Sequence, residues 1–186
     1  MTSSPRQILL ALGGARSGKS DYAENAALAM ANAGQPHGAP RPLYYLATGQ
    51  AFDGEMEQRI ARHQDRRSAQ FQTIEEPLQL AEVIARREAQ DVIMIDSIGT
   101  WITNHMMAGS ALPRVIDDTL DALRLAKGSV VLVSDEIGMG IVPDNAMSRE
   151  FRDHIGMMNQ GVASIANTVA FMVAGLPMIM KSEDQS

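Results

Sequence analysis

Gly13-Gly14-Ala15-Arg16-Ser17-Gly18-Lys19-Ser20 is a glycine-rich run closed by a lysine and a hydroxyl. It follows the apolar stretch Ile8–Leu12 and leads into Asp21–Met30, which reads as a helix. Strand, glycine loop and helix in that order form a phosphate-binding P-loop, whose backbone N–H groups wrap a polyphosphate while the helix N-terminus adds partial positive charge. Lys19 is expected to reach the outer phosphates of a nucleoside triphosphate, and the Ser20 hydroxyl to ligate Mg²⁺. The plainer alternative is a glycine turn that contains Gly-Lys-Ser by chance; the flanking strand and helix argue against it.

Asp96 ends the apolar run Val92–Ile95. An acid at that place in a P-loop protein holds Mg²⁺ beside the loop hydroxyl. The competing reading is a carboxylate that caps the next helix, and the P-loop tips the balance to the metal. His63 lies in a charge-dense segment, Asp53 to Ser68, that reads as a polar helix. If helical, it has Arg59, Arg66 and Arg67 on its own face. A neutral imidazole is a competent nucleophile at pH 7; neighbouring cations would oppose its protonation and bind phosphate oxygens. Taken by itself, though, a histidine on a charged helix is more often one more solvated side chain. His37, in a Gly/Pro loop, has no assigned role; His105 reads as a satisfied core or interface histidine, and His154 as part of a solvated face. No pair of these histidines has metal-ligand spacing of the His-Glu-x-x-His type.

The elements that must carry these residues follow from the pattern. Strands are expected at Leu43–Thr48, Phe71–Glu75, Asp91–Asp96, Ser129–Ser134 and Ala170–Ala174, with Leu176–Lys181 returning as a hairpin. Helices are expected at Leu78–Gln90, Thr100–Ala108, Val115–Ala126 and Ser148–Thr168, with Gly109–Pro113 breaking the chain between the second and third. Strands alternating with helices imply an α/β fold: a mostly parallel sheet covered on both faces, its ligand edge at the carboxyl ends of the strands. That edge collects the P-loop, Thr48-Gly49-Gln50, Asp96-Ser97 and Ser134-Asp135-Glu136. The loop Asp135–Pro143 is odd: it carries Met139, Ile141 and Val142, which point to a buried partner, either a subunit or a large apolar ligand.

With 186 residues and no linker, repeat or low-complexity segment, the chain is expected to be a single domain, 1–186. Its net charge of −6, without a Lys/Arg run, lacks the basic footprint of a nucleic-acid binder. There is no cysteine, which removes disulfides and thiolate metal sites. No apolar run approaches the ~18 residues of a membrane span, and the polar N-terminus lacks a signal-peptide pattern. The expected location is cytoplasmic. Aromatics are scarce, so the 13 Met read as packing rather than as ligands.

Five segments together resemble one family. They are the P-loop at 13–20, Tyr45-Leu46-Ala47-Thr48-Gly49-Gln50, Arg59-Ile60-Ala61-Arg62-His63, Ile95-Asp96-Ser97 with Trp101-Ile102-Thr103-Asn104, and Val133-Ser134-Asp135-Glu136-Ile137-Gly138-Met139-Gly140-Ile141-Val142-Pro143. In order and over nearly the whole chain, they are similar to the bifunctional adenosylcobinamide kinase / adenosylcobinamide-phosphate guanylyltransferases of cobalamin biosynthesis. The resemblance implies a three-layer, RecA-like P-loop NTPase core and a homotrimer. It implies two reactions: phosphorylation of adenosylcobinamide by ATP or GTP, then transfer of GMP from GTP to that phosphate through a histidine that matches His63. It further implies nucleotide contacts at Gly13–Ser20, Thr48, Gly49, Gln50, Gln64, Asp65, Arg66, Arg67, Glu75 and Asp96, with Ser20 and Asp96 on the metal. The chain departs from the family in having Arg62 where many relatives have a second histidine, Arg66 where a glycine is common, and a longer insertion at Gly34–Pro42. Two other readings of the residues remain: a small P-loop kinase in which His63 is merely structural, and a nucleotide-binding regulatory module.

Overall fold

The computed structural model describes residues 5–33, 39–49 and 69–183. The expected polar helix at 53–68, with His63, lies outside them, as do Gln50, Gln64, Asp65, Arg66, Arg67 and most of the 34–42 insertion. Seven strands form one sheet in the order β3-β2-β4-β5-β1-β6-β7. They are β1 (Ile8–Gly13), β2 (Leu43–Ala47), β3 (Phe71–Glu75), β4 (Val92–Asp96), β5 (Ser129–Asp135), β6 (Thr168–Val173) and β7 (Leu176–Ser182). All pairings are parallel except β6 with β7, which is antiparallel. The helices are α1 (Lys19–Asn32), α2 (Leu80–Ala85), α3 (Ile98–Met107), α4 (Leu112–Leu125) and α5 (Ala146–Ile165).

Strand periodicity sorts the core into two layers. Ile8, Leu10, Ile93, Ile95, Val130 and Leu132 point to one face and pack against Leu80, Trp101, Ile116, Leu123 and Met158 from α2 to α5. Their neighbours Leu9, Ala11, Val92, Met94, Val131 and Val133 point to the other face, where α1 lies. That helix meets the sheet with Ala23, Ala27 and Ala31, all fully buried and each one turn apart. Side chains this small let the helix axis approach the sheet closely, which seats the loop before it hard against the strand ends. The central strands are apolar on both faces because helices cover both.

Several element boundaries differ from the expectation; the helix expected to run to Thr168 ends at Ile165, and Thr168 opens β6. The helix anticipated at Leu78–Gln90 spans only Leu80–Ala85. At its front, the Glu76 carboxylate accepts from the Leu78 and Gln79 N–H groups and holds them in a turn. Behind it, Asp91 accepts from the Glu88 N–H, which closes a second turn. Pro113, anticipated as part of a break, instead sits in the first turn of α4. There its missing N–H would have had no helical partner anyway.

Candidate nucleotide site

The P-loop is built by close approach. A Cβ on Gly13 would lie 2.8 Å from the Met172 carbonyl oxygen and 2.4 Å from Ser17 Oγ, so only glycine fits beside β6. Gly18 has φ 91° and caps α1; the left-handed turn there is open to glycine at no steric cost. The turn between β6 and β7 braces the loop from outside. Ala174 and Gly175 both have positive φ, and the Gly175 N–H donates to the Ser17 carbonyl at 2.9 Å. Gly14, Ala15 and Arg16 remain exposed at the tip. Ser17 Oγ is buried with no hydrogen-bond partner among the described residues. An open tip, a glycine cradle and an orphaned hydroxyl fit a loop shaped for an anionic ligand.

Lys19 Nζ donates to the Gly14 carbonyl at 3.0 Å and pairs with Asp135 Oδ1 at 2.9 Å. Asp135 was on the edge anticipated from sequence but was given no chemistry. Strand order explains its place: β5 is the direct neighbour of β1, with Gly13 in register with Asp135. Asn159 of α5 fixes this strand end, accepting from the Ser134 hydroxyl at 2.6 Å and donating to the Asp135 carbonyl at 3.1 Å. The other carboxylate oxygen of Asp135 rests over Gly99 in the first turn of α3, where a Cβ would come within 2.4 Å of it.

Asp96 ends β4, one strand further out. With strands ~4.8 Å apart, it is about 10 Å across the sheet from the P-loop strand, against about 5 Å for Asp135. The capping alternative for Asp96 fails, because Ser97 caps α3 by accepting from the Thr100 N–H. Asp96 instead accepts a hydrogen bond from the Tyr45 hydroxyl at 3.0 Å and stays half-buried at the edge. The Asp96–Ser97 peptide is cis. Glu75 is exposed at the end of β3, the outer strand, separated from β1 by β2, β4 and β5. The sheet therefore does not bring Glu75 to the P-loop. Among the described residues no cluster of three His, Cys, Asp or Glu forms a ready-made cation cage. That suits Mg²⁺, which binds through one or two protein oxygens plus phosphates and water. Ser20 and an acid at the β4 or β5 end supply hard oxygen donors of the right kind.

Thr48 is buried, with its hydroxyl turned into the fold. It accepts from the Ser97 N–H at 2.9 Å and donates to the Ser97 carbonyl at 2.8 Å. Gly49, half-buried beside it, is the last described residue before 50–68. The α3 helix anchors both sides of that segment. Asn104 donates to the Thr48 and Pro77 carbonyls at 2.8 and 3.0 Å, and Trp101 Nε1 donates to the Leu78 carbonyl at 2.9 Å. His105 is the satisfied histidine anticipated. Its Nε2 faces the Leu78 carbonyl at 3.1 Å and so must carry the proton, leaving Nδ1 to accept from Ser110 Oγ at 2.9 Å. His154 departs from its expectation. Its side chain is 12% exposed, covered on α5 rather than solvated, with Nε2 at 3.6 Å from Glu150.

The loop after Asp135 is pinned at several points. Glu136 accepts from the Gly138 N–H at 2.5 Å, Arg152 donates to the Gly138 carbonyl at 2.5 Å, and Arg149 donates to the Pro143 and Asp144 carbonyls at 3.0 and 2.7 Å. Held in this way, it presents Met139, Ile141 and Val142 at 80, 96 and 63% exposure.

A parallel sheet with β1, glycine loop and α1 at its carboxyl edge, and a lysine aimed over the loop, defines a P-loop nucleotide-binding protein of the α/β class. Within that class, residues 9–180 match the family model described as cobinamide kinase / cobinamide phosphate guanyltransferase, and the chain belongs to that family. It is 40% identical to the bifunctional adenosylcobalamin biosynthesis protein CobP of Pseudomonas aeruginosa, over 94% of this chain and 97% of that one. It is 38% identical to the bifunctional adenosylcobalamin biosynthesis protein CobU of Salmonella typhimurium and 33% to that of Escherichia coli, in each case over 94% of this chain and 99% of the relative. Two solved structures align at lower identity. The P4 protein of bacteriophage phi6 in complex with ADP aligns at 16% identity and a TM-score of 0.46, over 94% of this chain and 54% of that one. A KaiC-like protein of Pyrococcus horikoshii aligns at 12% identity and 0.44, over 96% and 80%.

Proposed function

We propose that this chain phosphorylates adenosylcobinamide with ATP or GTP and then transfers GMP from GTP to the product, giving adenosyl-GDP-cobinamide. The observation that carries this reading is a complete P-loop, with Lys19 over its opening, in a chain that matches this family from residue 9 to residue 180. Gly13–Ser20 bind the triphosphate and Lys19 stabilises charge on the transferring phosphoryl group. When bound, Mg²⁺ neutralises phosphate charge; Ser20 and Asp96 are the residues assigned to it. His63 is the guanylyl carrier. Its imidazole nitrogen attacks the α-phosphorus of GTP, the bond to the bridging oxygen of pyrophosphate breaks, and a phosphoramidate forms. An oxygen of cobinamide phosphate then attacks the same phosphorus and the P–N bond breaks, returning the free imidazole. Gln50, Gln64, Asp65, Arg66 and Arg67 are assigned to the nucleotide on the family resemblance alone. Thr48, Gly49 and Glu75 are likewise assigned to the nucleotide on the family resemblance alone, Glu75 away from the P-loop at the outer strand. The enzyme acts as a single-domain subunit of a cytoplasmic homotrimer, with the corrinoid held by shape and apolar contact.

The test is covalent labelling. With [α-³²P]GTP and Mg²⁺ the protein should acquire label that is acid-labile and base-stable, and His63→Ala should abolish it. Label that persists in His63→Ala refutes the guanylyl-carrier assignment. Phosphoryl transfer from the γ-position without any α-label would indicate a plain P-loop kinase instead.

A further inference from the structure

Asp135 stands 2.9 Å from the one P-loop side chain whose task is to hold phosphate. Its carboxylate is seated on purpose-built ground. Gly99 leaves room for one oxygen, Lys19 takes the other, and Asn159 fixes the backbone from behind. The pair is mostly sheltered, with Lys19 13% and Asp135 31% exposed on their side chains, so solvent screens it only in part. A phosphate oxygen that binds the same ammonium arrives within about 6 Å of the Asp135 carboxylate, since each charge-assisted bond spans just under 3 Å. Two anions at that distance repel, and both compete for one cation. A metal-free triphosphate therefore meets a site whose lysine is already engaged and whose neighbour is negative. A metal-complexed triphosphate carries less charge, and its hydrated cation turns the same carboxylate from a repulsive partner into an attractive one.

We infer that Asp135 is a positioning residue that couples triphosphate binding to Mg²⁺: it holds Lys19 in the nucleotide-free loop and makes the site discriminate against nucleotide that lacks the metal. This rests on the P-loop reading above and adds a residue to it. Linkage makes the claim reciprocal: the factor by which Mg²⁺ tightens nucleotide is the factor by which nucleotide tightens Mg²⁺. A purely structural Asp135 would act differently, since its loss would loosen the loop and weaken nucleotide to the same degree with and without metal.

The experiment is calorimetric binding of α,β-methylene-GTP, which cannot donate its guanylyl group, to the full chain without corrinoid, in excess Mg²⁺ and in EDTA. In Asp135→Asn, affinity in EDTA should rise about tenfold and the tightening by Mg²⁺ should shrink by a similar factor. Asp135→Ser, smaller and equally neutral, should show the same loss of metal dependence. Equal Mg²⁺ tightening in wild type and both variants, whatever happens to absolute affinity, overturns the inference. Failure of the wild-type chain to bind the analogue under either condition overturns the P-loop reading itself.

Discussion

Lys19 directs its ammonium at Gly14 and Asp135, and in the proposed function this is the charge that the triphosphate meets. Removing that charge tests how many reactions share the loop. Lys19→Ala should lower turnover in both phosphorylation and guanylyl transfer by on the order of a hundredfold, the scale seen when one preorganised charge stabiliser is lost. Initial-rate assays of each half-reaction measure it, and unchanged guanylyl transfer would confine the P-loop to the kinase step. A second residue acts out of sight. Asn159 satisfies the buried Ser134 hydroxyl and the Asp135 carbonyl together. Asn159→Ala strands both inside the protein, and a buried polar group left unpaired costs about 1–3 kcal/mol. Urea unfolding should show a lower midpoint at unchanged slope; an unmoved midpoint would mean water replaces the amide.

Among the elements, the hairpin β6–β7 does more than close the sheet, because its turn leans on the P-loop. Gly18 and Gly175 approach so closely that a Cβ on Gly18 would lie 3.1 Å from the Gly175 Cα, and Gly18 is at φ 91°. Gly18→Ala should therefore destabilise the fold by roughly 1–3 kcal/mol and weaken triphosphate binding with it. Gly14→Ala is the contrast: nothing lies within 4 Å of its would-be Cβ, so thermal unfolding should move by no more than about 0.5 kcal/mol. If the two variants unfold alike, the brace is not holding the loop. This coupling also marks what sequence could and could not reveal. The strand-loop-helix at 8–32 was legible because its glycines, lysine and hydroxyl have fixed spacing, and the β6–β7 hairpin because two apolar runs flank Ala174-Gly175. Strand order was not. Nothing local in Ser134-Asp135-Glu136 says that β5 lies beside β1, so sequence alone points to Asp96, further out, and not to the acid at Lys19. The helix expected at Leu78–Gln90 is present but shorter, as α2, because the Glu76 and Asp91 side chains capture backbone N–H groups at its two ends. His63 was raised from an ordinary helix histidine to a nucleophile by resemblance alone.

At the scale of the whole molecule, most of the exposed large apolar side chains among the described residues gather in two places. One is β7, the outer antiparallel strand, where Met178, Ile179 and Met180 are 61, 46 and 65% exposed although neighbouring residues of a strand point to opposite faces. The other is the loop Met139–Pro143, which follows Asp135 directly. The loop is the better ordered of the two as a contact surface, because Arg149, Arg152 and Glu136 fix its backbone before any partner arrives. Preorganisation of this sort lowers the entropy lost on association. Fully burying a side chain such as Met139 or Ile141 contributes about 1.5–3 kcal/mol each, and three equivalent contacts in a closed ring add together. The proposed homotrimer is expected to use this loop. Light scattering should give a trimer mass for the wild-type chain, and Met139→Asp with Ile141→Asp should shift it to monomer while leaving the far-ultraviolet circular dichroism unchanged, since neither side chain belongs to the core. A trimer that survives both acids would move the interface to β7, where Met178→Lys with Met180→Lys becomes the variant that must break it.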